Sequence, residues 1–147
     1  MPSLSLDTSD IDLSVVIPTL NGREQLADSL DALAEHAPTA EVIVVNGPSA
    51  DGTSGMVQNR TDVDVLVEVA ERTLNVARNA GIIEATGEAI AILQHDLTIE
   101  STWVDAITAG LSRAAVVTGP VHQMLSAGMT TTACEQTDIG GRTVTYF

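Results

Sequence analysis

The sequence predicts an α/β fold: a three-layer α/β/α sandwich built on a mostly parallel sheet. Three observations predict it. Short apolar runs rich in Val and Ile alternate with longer stretches whose apolar residues recur at helical spacing. The runs are largely apolar at consecutive positions, as in strands covered on both faces. The connections are short, which suits strand–helix–strand units with right-handed crossovers.

Taken in order, residues 1–12 are small and polar (Ser3, Ser5, Asp7, Thr8, Ser9, Asp10, Asp12) and are expected to form a flexible leader. Residues 13–17 read as a buried strand stopped by Pro18, and Asn21-Gly22 marks the turn over 19–22. Residues 24–36 set Leu26, Ala27, Leu30, Leu33 and Ala34 on one helical face, and Pro38 ends that helix. A second strand spans 42–45, a loop 46–52, and a short helix 53–59, with Asp51 as an Asx turn or cap before Thr53. Residues 63–69 form a third strand. The helix over 74–85 carries Val76, Ala80 and Ile83 on one face, with Gly87 placed to close it. The fourth strand is 89–93. Trp103, Ile107 and Leu111 mark another helix, with Ser101 as its N-cap and Trp103 in the core. Residues 115–118 form a fifth strand ahead of Gly119-Pro120. Beyond 120 the periodicity fades into a Thr- and Gly-rich stretch, with a further strand over 143–147. Residues 13–147 are expected to be a single domain.

Twenty acidic residues face six basic ones, all Arg, giving a net charge of −14. Such a surface repels nucleic-acid phosphates and anionic membrane, so neither is an expected partner. The acidic, lysine-free composition resembles that of proteins from salt-loving archaea, whose concentrated salt screens self-repulsion. The lone Cys134 cannot form an internal disulfide and lacks a neighbouring base to activate it. No apolar run approaches a membrane span, and residues 1–12 have no positive region of the signal-peptide kind. A soluble, cytoplasmic protein is therefore expected, and a homo-oligomer is compatible with the sequence.

Three loops that follow strands one, two and four open with polar residues: Thr19-Leu20-Asn21, Asn46 to Thr53, and Gln94-His95-Asp96. In a doubly wound sheet these loops converge on one crevice at the carboxyl ends of the strands. Asp96 is the hard oxygen ligand that Mg²⁺ or Mn²⁺ needs when it bridges a diphosphate. Arg78 brings a cation to the same edge, suited to clamping phosphate. A flavodoxin-like mononucleotide domain would need an acidic cluster after strand one, which Pro18 to Asn21 does not supply.

Segments 13–21 (LSVVIPTLN), 41–53 (EVIVVNGPSADGT), 75–81 (NVARNAG) and 85–88 (ATGE), followed by a strand and Asp96, resemble the inverting glycosyltransferases of family two. The order and spacing match over roughly residues 13 to 120. The resemblance implies a GT-A fold of the nucleotide-diphospho-sugar transferase type. It implies that Thr19, Leu20, Asn21, Asn46, Arg78, Gln94 and His95 surround the nucleotide-diphospho-sugar donor, and that Asp96 holds Mn²⁺ or Mg²⁺. The chain departs from the family at Leu20 (a stacking tyrosine), Asn46 and Gly47 (two acids) and Gln94 (the first metal-motif aspartate). His95 stands as a possible second ligand. Inverting transfer also needs a carboxylate base. Glu135 and Asp138 are the only acids after Asp105, and neither lies in a recognisable motif, so the acceptor part of the domain reads as incomplete. The implied function is a metal-dependent inverting transfer of sugar to an unknown acceptor such as a glycan or lipid-linked sugar. The alternative is a catalytically degenerate nucleotide-binding or interaction module of the same fold. His36 reads as a cation at a helix end, and His122 as structural.

Overall fold

The computed structural model describes residues 11–119 and, beyond them, the backbone of four strands between 122 and 146. Contacts divide the chain into two compact units, Met1–Thr108 and Ala109–Phe147. The first holds β1 (Leu13–Thr19), α1 (Arg23–His36), β2 (Glu41–Asn46), α2 (Thr53–Gln58), β3 (Val65–Glu68), α3 (Leu74–Glu84) and β4 (Ala89–Ile92). α4 (Trp103–Leu111) leads from the first unit into the second. The four strands are all parallel, in the order β3-β2-β1-β4.

Burial explains why these segments became strands. Every residue of β1 is buried, as are five of the six in β2, so both faces are covered. One face takes Leu13, Val15, Ile17, Val42 and Val44 against Leu26, Leu30 and Leu33 of α1 and Val57 of α2. Each leucine buried this way contributes about 1.5–3 kcal/mol. The other face sets Val16, Ile43 and Val45 against Ala77 of α3. α3 lies so close that a Cβ on Gly81 would stand 2.3 Å from Val16 Cγ1 and 3.0 Å from Val45 Cγ2.

The amino edge of the sheet is latched by Glu41. Its Oε1 accepts from Ser14 Oγ (2.8 Å) and Thr86 N (2.9 Å), and its Oε2 from Thr86 Oγ1 (2.9 Å). Ser14 Oγ in turn accepts from Gly87 N at 2.8 Å. These donors, the Thr86 amide foremost, hold the Glu41 carboxyl below its ordinary 4.5. The 85–88 segment is thus part of a structural joint between α3 and β4.

The expected leader lies outside the described residues except for Ile11 and Asp12, and these two belong to the fold. Ile11 packs against the core, and the Asp12 carbonyl accepts from Ala89 N, which extends the β1–β4 ladder by a residue. Ser101 is not the cap of α4. The helix starts at Trp103, and Thr102 immediately precedes it, its carbonyl accepting from Ala106 N. Trp103 itself packs partly buried against the core. Residues 115–118 are irregular, not a strand. β-branched residues make a strand only in a ladder, and Val117 instead sets its methyls against Gly110. The second unit contains two hairpins, β5 (His122–Leu125) with β6 (Gly128–Thr131), and β7 (Glu135–Ile139) with β8 (Arg142–Tyr146). Of these the sequence pattern predicted only the last strand. No helix among the described residues is long and apolar enough to cross a membrane.

Candidate functional site

Strand order fixes where a ligand can bind. The chain builds β1, β2 and β3 in one direction and then returns to place β4 on the other side of β1. Loops leaving β1 and β4 therefore diverge, opening a crevice at their carboxyl ends. Leu93 N donates to Val16 O (3.0 Å), carrying the ladder past β4, and a turn closed by Leu97 N on Gln94 O (3.2 Å) presents His95 and Asp96. The buried Ser29 of α1 anchors that turn by donating its hydroxyl to the Leu97 carbonyl. The His95 ring rests on the β1–α1 turn, with Cδ2 2.5 Å from where a Gly22 Cβ would stand.

The loops after β1 and β2 are laced together. Asn21 adopts a left-handed conformation (φ 52°), its amide donates to Ser49 Oγ (2.9 Å), and its Oδ1 accepts from Ala50 N (2.7 Å). Ser49 Oγ donates onward to Asn46 Oδ1 at 2.6 Å, and Gly47 N donates to Thr19 O at 2.9 Å. Asp51 accepts from Arg23 N (3.0 Å), Thr53 N (3.1 Å) and the Thr53 hydroxyl, so one carboxylate caps the starts of α1 and α2. The Thr53 hydroxyl, then the Arg23 amide, hold the Asp51 carboxyl below its ordinary range. Of the two readings, Asx turn or cap, the bond from Thr53 N two residues on makes Asp51 the Asx turn.

A cleft of about 130 Å³ opens at this edge, lined by Pro18, Thr19, Leu20 and Gly47, by Glu71 to Thr73 of the β3–α3 loop, by Leu74 and Ala77 of α3, and by His95. That volume is below the roughly 300 Å³ of a pocket enclosing a whole drug-sized ligand. It suits one ring system, with the rest of the ligand lying along the open edge. Thr19, Leu20 and His95 are therefore brought together as expected. Thr19 is 5% exposed, and its Oγ1 is buried without a hydrogen-bond partner. Gln94 and Asp96 are exposed on the following turn and do not line the cleft. Asn46 is placed differently from expectation. It is 3% exposed, it does not line the cleft, and its side-chain oxygen is engaged by Ser49. The neighbouring Gly47, just past the end of β2, lines the cleft instead. Asn21 contributes a loop brace. Glu135 and Asp138 fall in β7, where the side chains lie outside the described residues, as does that of His122 in β5.

Glu71, Arg72 and Thr73 are among the cleft residues that sequence reasoning missed. The signal was present: in a parallel sheet β3 ends at the same edge as its neighbours, and a charged pair sits between it and α3.

The cations are unevenly employed. Arg60 is held by Asp31 and Asp62, both at 2.7 Å, which raises its pKa and lowers that of Asp62. Arg23 and Arg113 spend guanidinium hydrogen bonds on carbonyls. Arg72 and Arg78 form no ion pair among the described residues, and Arg78 Nε is buried without a hydrogen-bond partner. Ala80 on one flank of α3 packs into the cluster that includes the β3 valines, and helical spacing puts Arg78 on the opposite flank. In a chain of net charge −14, unpaired guanidinium groups at a ligand edge are suited to an anion.

Among the described residues no three His, Cys, Asp or Glu side chains gather into a metal cage. That donor set still fits Mg²⁺ or Mn²⁺, since such an ion is commonly bound through one or two carboxylates together with substrate phosphates. The exposed Asp96, on the turn after β4, is a carboxylate of this kind.

Comparison with known proteins agrees with this geometry. The model for the family described as Glycosyl transferase family 2 matches residues 14–127. Glycosyltransferase AglE of Haloferax volcanii is 29% identical over 100 residues, covering 63% of this chain and 33% of that protein. The structure of the mannosyltransferase PcManGT from Pyrobaculum calidifontis, in complex with GDP-Man and Mn²⁺, superposes with a TM-score of 0.59 at 28% identity, covering 67% of this chain and 32% of the other. TarS 1-349 of S. aureus gives a TM-score of 0.62 at 23% identity, over 69% and 32% of the two chains, a likeness of fold. The chain thus spans about a third of the length of these relatives.

Proposed function

The chain belongs to glycosyl transferase family 2 and has its GT-A fold, and from that premise we propose that it binds a nucleotide-diphospho-sugar in the cleft at the carboxyl edge, as the donor-binding part of a metal-dependent inverting glycosyltransferase. The observation that carries this is the convergence of four loops on one cleft that is lined by Arg72, without an ion pair among the described residues, in a strongly acidic chain.

Each residue then has a task. Pro18, Leu20 and Leu74 pack against a ring of the nucleoside, and Thr19 lines the floor beneath them. Arg72 and Arg78 bind and orient the diphosphate oxygens. Asp96 holds the divalent ion, which when bound offsets negative charge on the departing nucleoside diphosphate. His95, fixed against Gly22, bounds the cleft on the β4 side. Inversion takes a single displacement, with a carboxylate accepting the acceptor hydroxyl's proton. Glu135 and Asp138 remain the candidates for that base, and a glycan or lipid-linked sugar for the acceptor. A donor-binding module without transfer activity is the second reading, favoured by the missing acids at Asn46, Gly47 and Gln94.

The test is calorimetric titration of the chain with nucleoside diphosphates, with and without Mn²⁺, in molar KCl. Binding should tighten about tenfold or more with Mn²⁺, as expected when a charge-assisted contact is added, and Asp96→Ala should abolish the difference. Equal affinity with and without metal would sink the Asp96 assignment. Release of nucleoside diphosphate from nucleotide sugars, with and without acceptors, separates transferase from binding module.

A further inference from the structure

α1 buries Leu26, Leu30 and Leu33, and within that apolar face stands Ser29, which is completely buried. A serine there gives up the apolar area of a leucine and obliges its hydroxyl to find a partner. The partner lies far along the chain: Ser29 Oγ donates to the carbonyl of Leu97. Among the described residues this is the only side-chain hydrogen bond to the stretch 93–99.

Leu97 is the residue after Asp96. The residue before it, His95, rests on Gly22 at the start of α1, where a Cβ would meet its ring at 2.5 Å. Asp96 is therefore fastened to α1 on both sides, at Gly22 and about two helical turns further on at Ser29. Its side chain is exposed and forms no ion pair among the described residues, so the backbone that carries the carboxylate sets its aim. Apart from the Ser29 bond, residues 94–97 are tied only by Leu97 N on Gln94 O.

We propose that Ser29 is a positioning residue for the divalent ion: by fixing the Leu97 carbonyl, it holds the Asp96 carboxylate ready to bind. The inference rests on Asp96 being the carboxylate that takes the metal. Without the hydroxyl the turn keeps that carboxylate but is less ordered, and metal binding must then bear the ordering cost. Pro18, Leu20 and Leu74, which pack against the nucleoside, sit on other elements, so binding without metal is left nearly unchanged.

The experiment titrates Mn²⁺ into the full chain with UDP or GDP in molar KCl, and measures each nucleotide without metal. Wild type is compared with Ser29→Ala, Asp96→Ala and the double variant, and circular dichroism checks folding. Ser29→Cys fills the same space with a weak donor and serves if Ser29→Ala does not fold. Ser14→Ala is the control, since Ser14 is equally buried and donates to Glu41 at the amino edge of the sheet. Mn²⁺ affinity should fall about tenfold in Ser29→Ala and Ser29→Cys, the scale of losing support behind a metal ligand. Metal-free affinity should stay within about twofold. Ser14→Ala should lose stability but keep its Mn²⁺ affinity. In the Asp96→Ala background, Ser29→Ala should change nothing further. Unchanged Mn²⁺ affinity in the Ser29 variants overturns the proposal and leaves the Asp96 assignment standing. An equal fall in Ser14→Ala overturns it too, since Ser29 would then be a general stabiliser. A wild type indifferent to Mn²⁺ removes the Asp96 assignment, and the proposal with it.

Discussion

Replacing Gly81 with alanine tests how closely α3 is pressed against the sheet. The added methyl would stand 2.3 Å from Val16 Cγ1, 3.3 Å from Val16 Cγ2 and 3.0 Å from Val45 Cγ2. Carbon atoms are comfortable at about 3.5–4.0 Å, so the helix must lift by about 1 Å or Val16 must leave its rotamer. Neither is cheap, because Val16 and Val45 are both fully buried. Overpacking of this kind costs about 1–3 kcal/mol. Alanine recovers up to about 1 kcal/mol of helix propensity, which leaves a net loss of up to about 2 kcal/mol. Gly55 in α2 is the internal control, since a Cβ there meets nothing within 4 Å. Gly55→Ala should gain stability by as much as about 1 kcal/mol, so the two variants should move in opposite directions. Urea unfolding followed by circular dichroism, with unchanged m-values, reads the difference as a shift in midpoint. A Gly81→Ala protein at least as stable as Gly55→Ala would refute the close approach of α3 to β1. Leu74 and Ala77 line the cleft from the same helix, so Gly81→Ala should also weaken nucleotide binding.

Glu41→Gln should destabilise by about 1 kcal/mol near neutral pH, the scale of a net hydrogen-bond contribution. Because the folded-state pKa of Glu41 is lowered, the wild-type advantage should be present above its unfolded value of 4.5 and vanish as pH falls through the folded pKa. Melts of both proteins across that range check the sign. Arg60→Met should cost about 1 kcal/mol by uncoupling Asp31 from Asp62, and the cost should shrink in molar salt. We also expect the melting temperature of wild type to rise as KCl increases from about 0.1 M to about 3 M, because screening relieves the self-repulsion of a −14 chain. A flat profile would rule out the halophilic reading.

The parts of the fold that the sequence predicts are those where one physical requirement dominates. β1, β2 and α1 are buried so completely that their apolar patterns leave a single solution. The 115–118 run carries the same β-branched signal as β4, but a ladder depends on a partner elsewhere in the chain, which local pattern does not encode. The hairpins β5–β6 and β7–β8 are short and rich in Thr and Gly, without the apolar run by which the buried strands announce themselves. At the site, Thr19, Leu20 and His95 were legible because they follow apolar strands directly. Asn46 and Gly47 were not separable, since which of two adjacent residues faces a cleft depends on where the strand stops alternating. Glu71 was missed because the partly alternating third strand ends in a loop without the Gly and Asn punctuation that follows β1 and β2.

The strand order also distributes the cost of assembly. β1 meets β2, and β2 meets β3, across one short helix each, whereas Leu13 must find Ala89 across two further strands and three helices of chain. Loop-closure entropy makes that last ladder the most expensive to form. When β4 lets go, it takes with it His95, Asp96 and the bond between Ser29 and Leu97, while the laced loops of β1 and β2 stay in place. A donor that bridges Arg78 and Asp96 would act as a clasp on this seam, so its occupancy and the closing of the domain's own topology are one event.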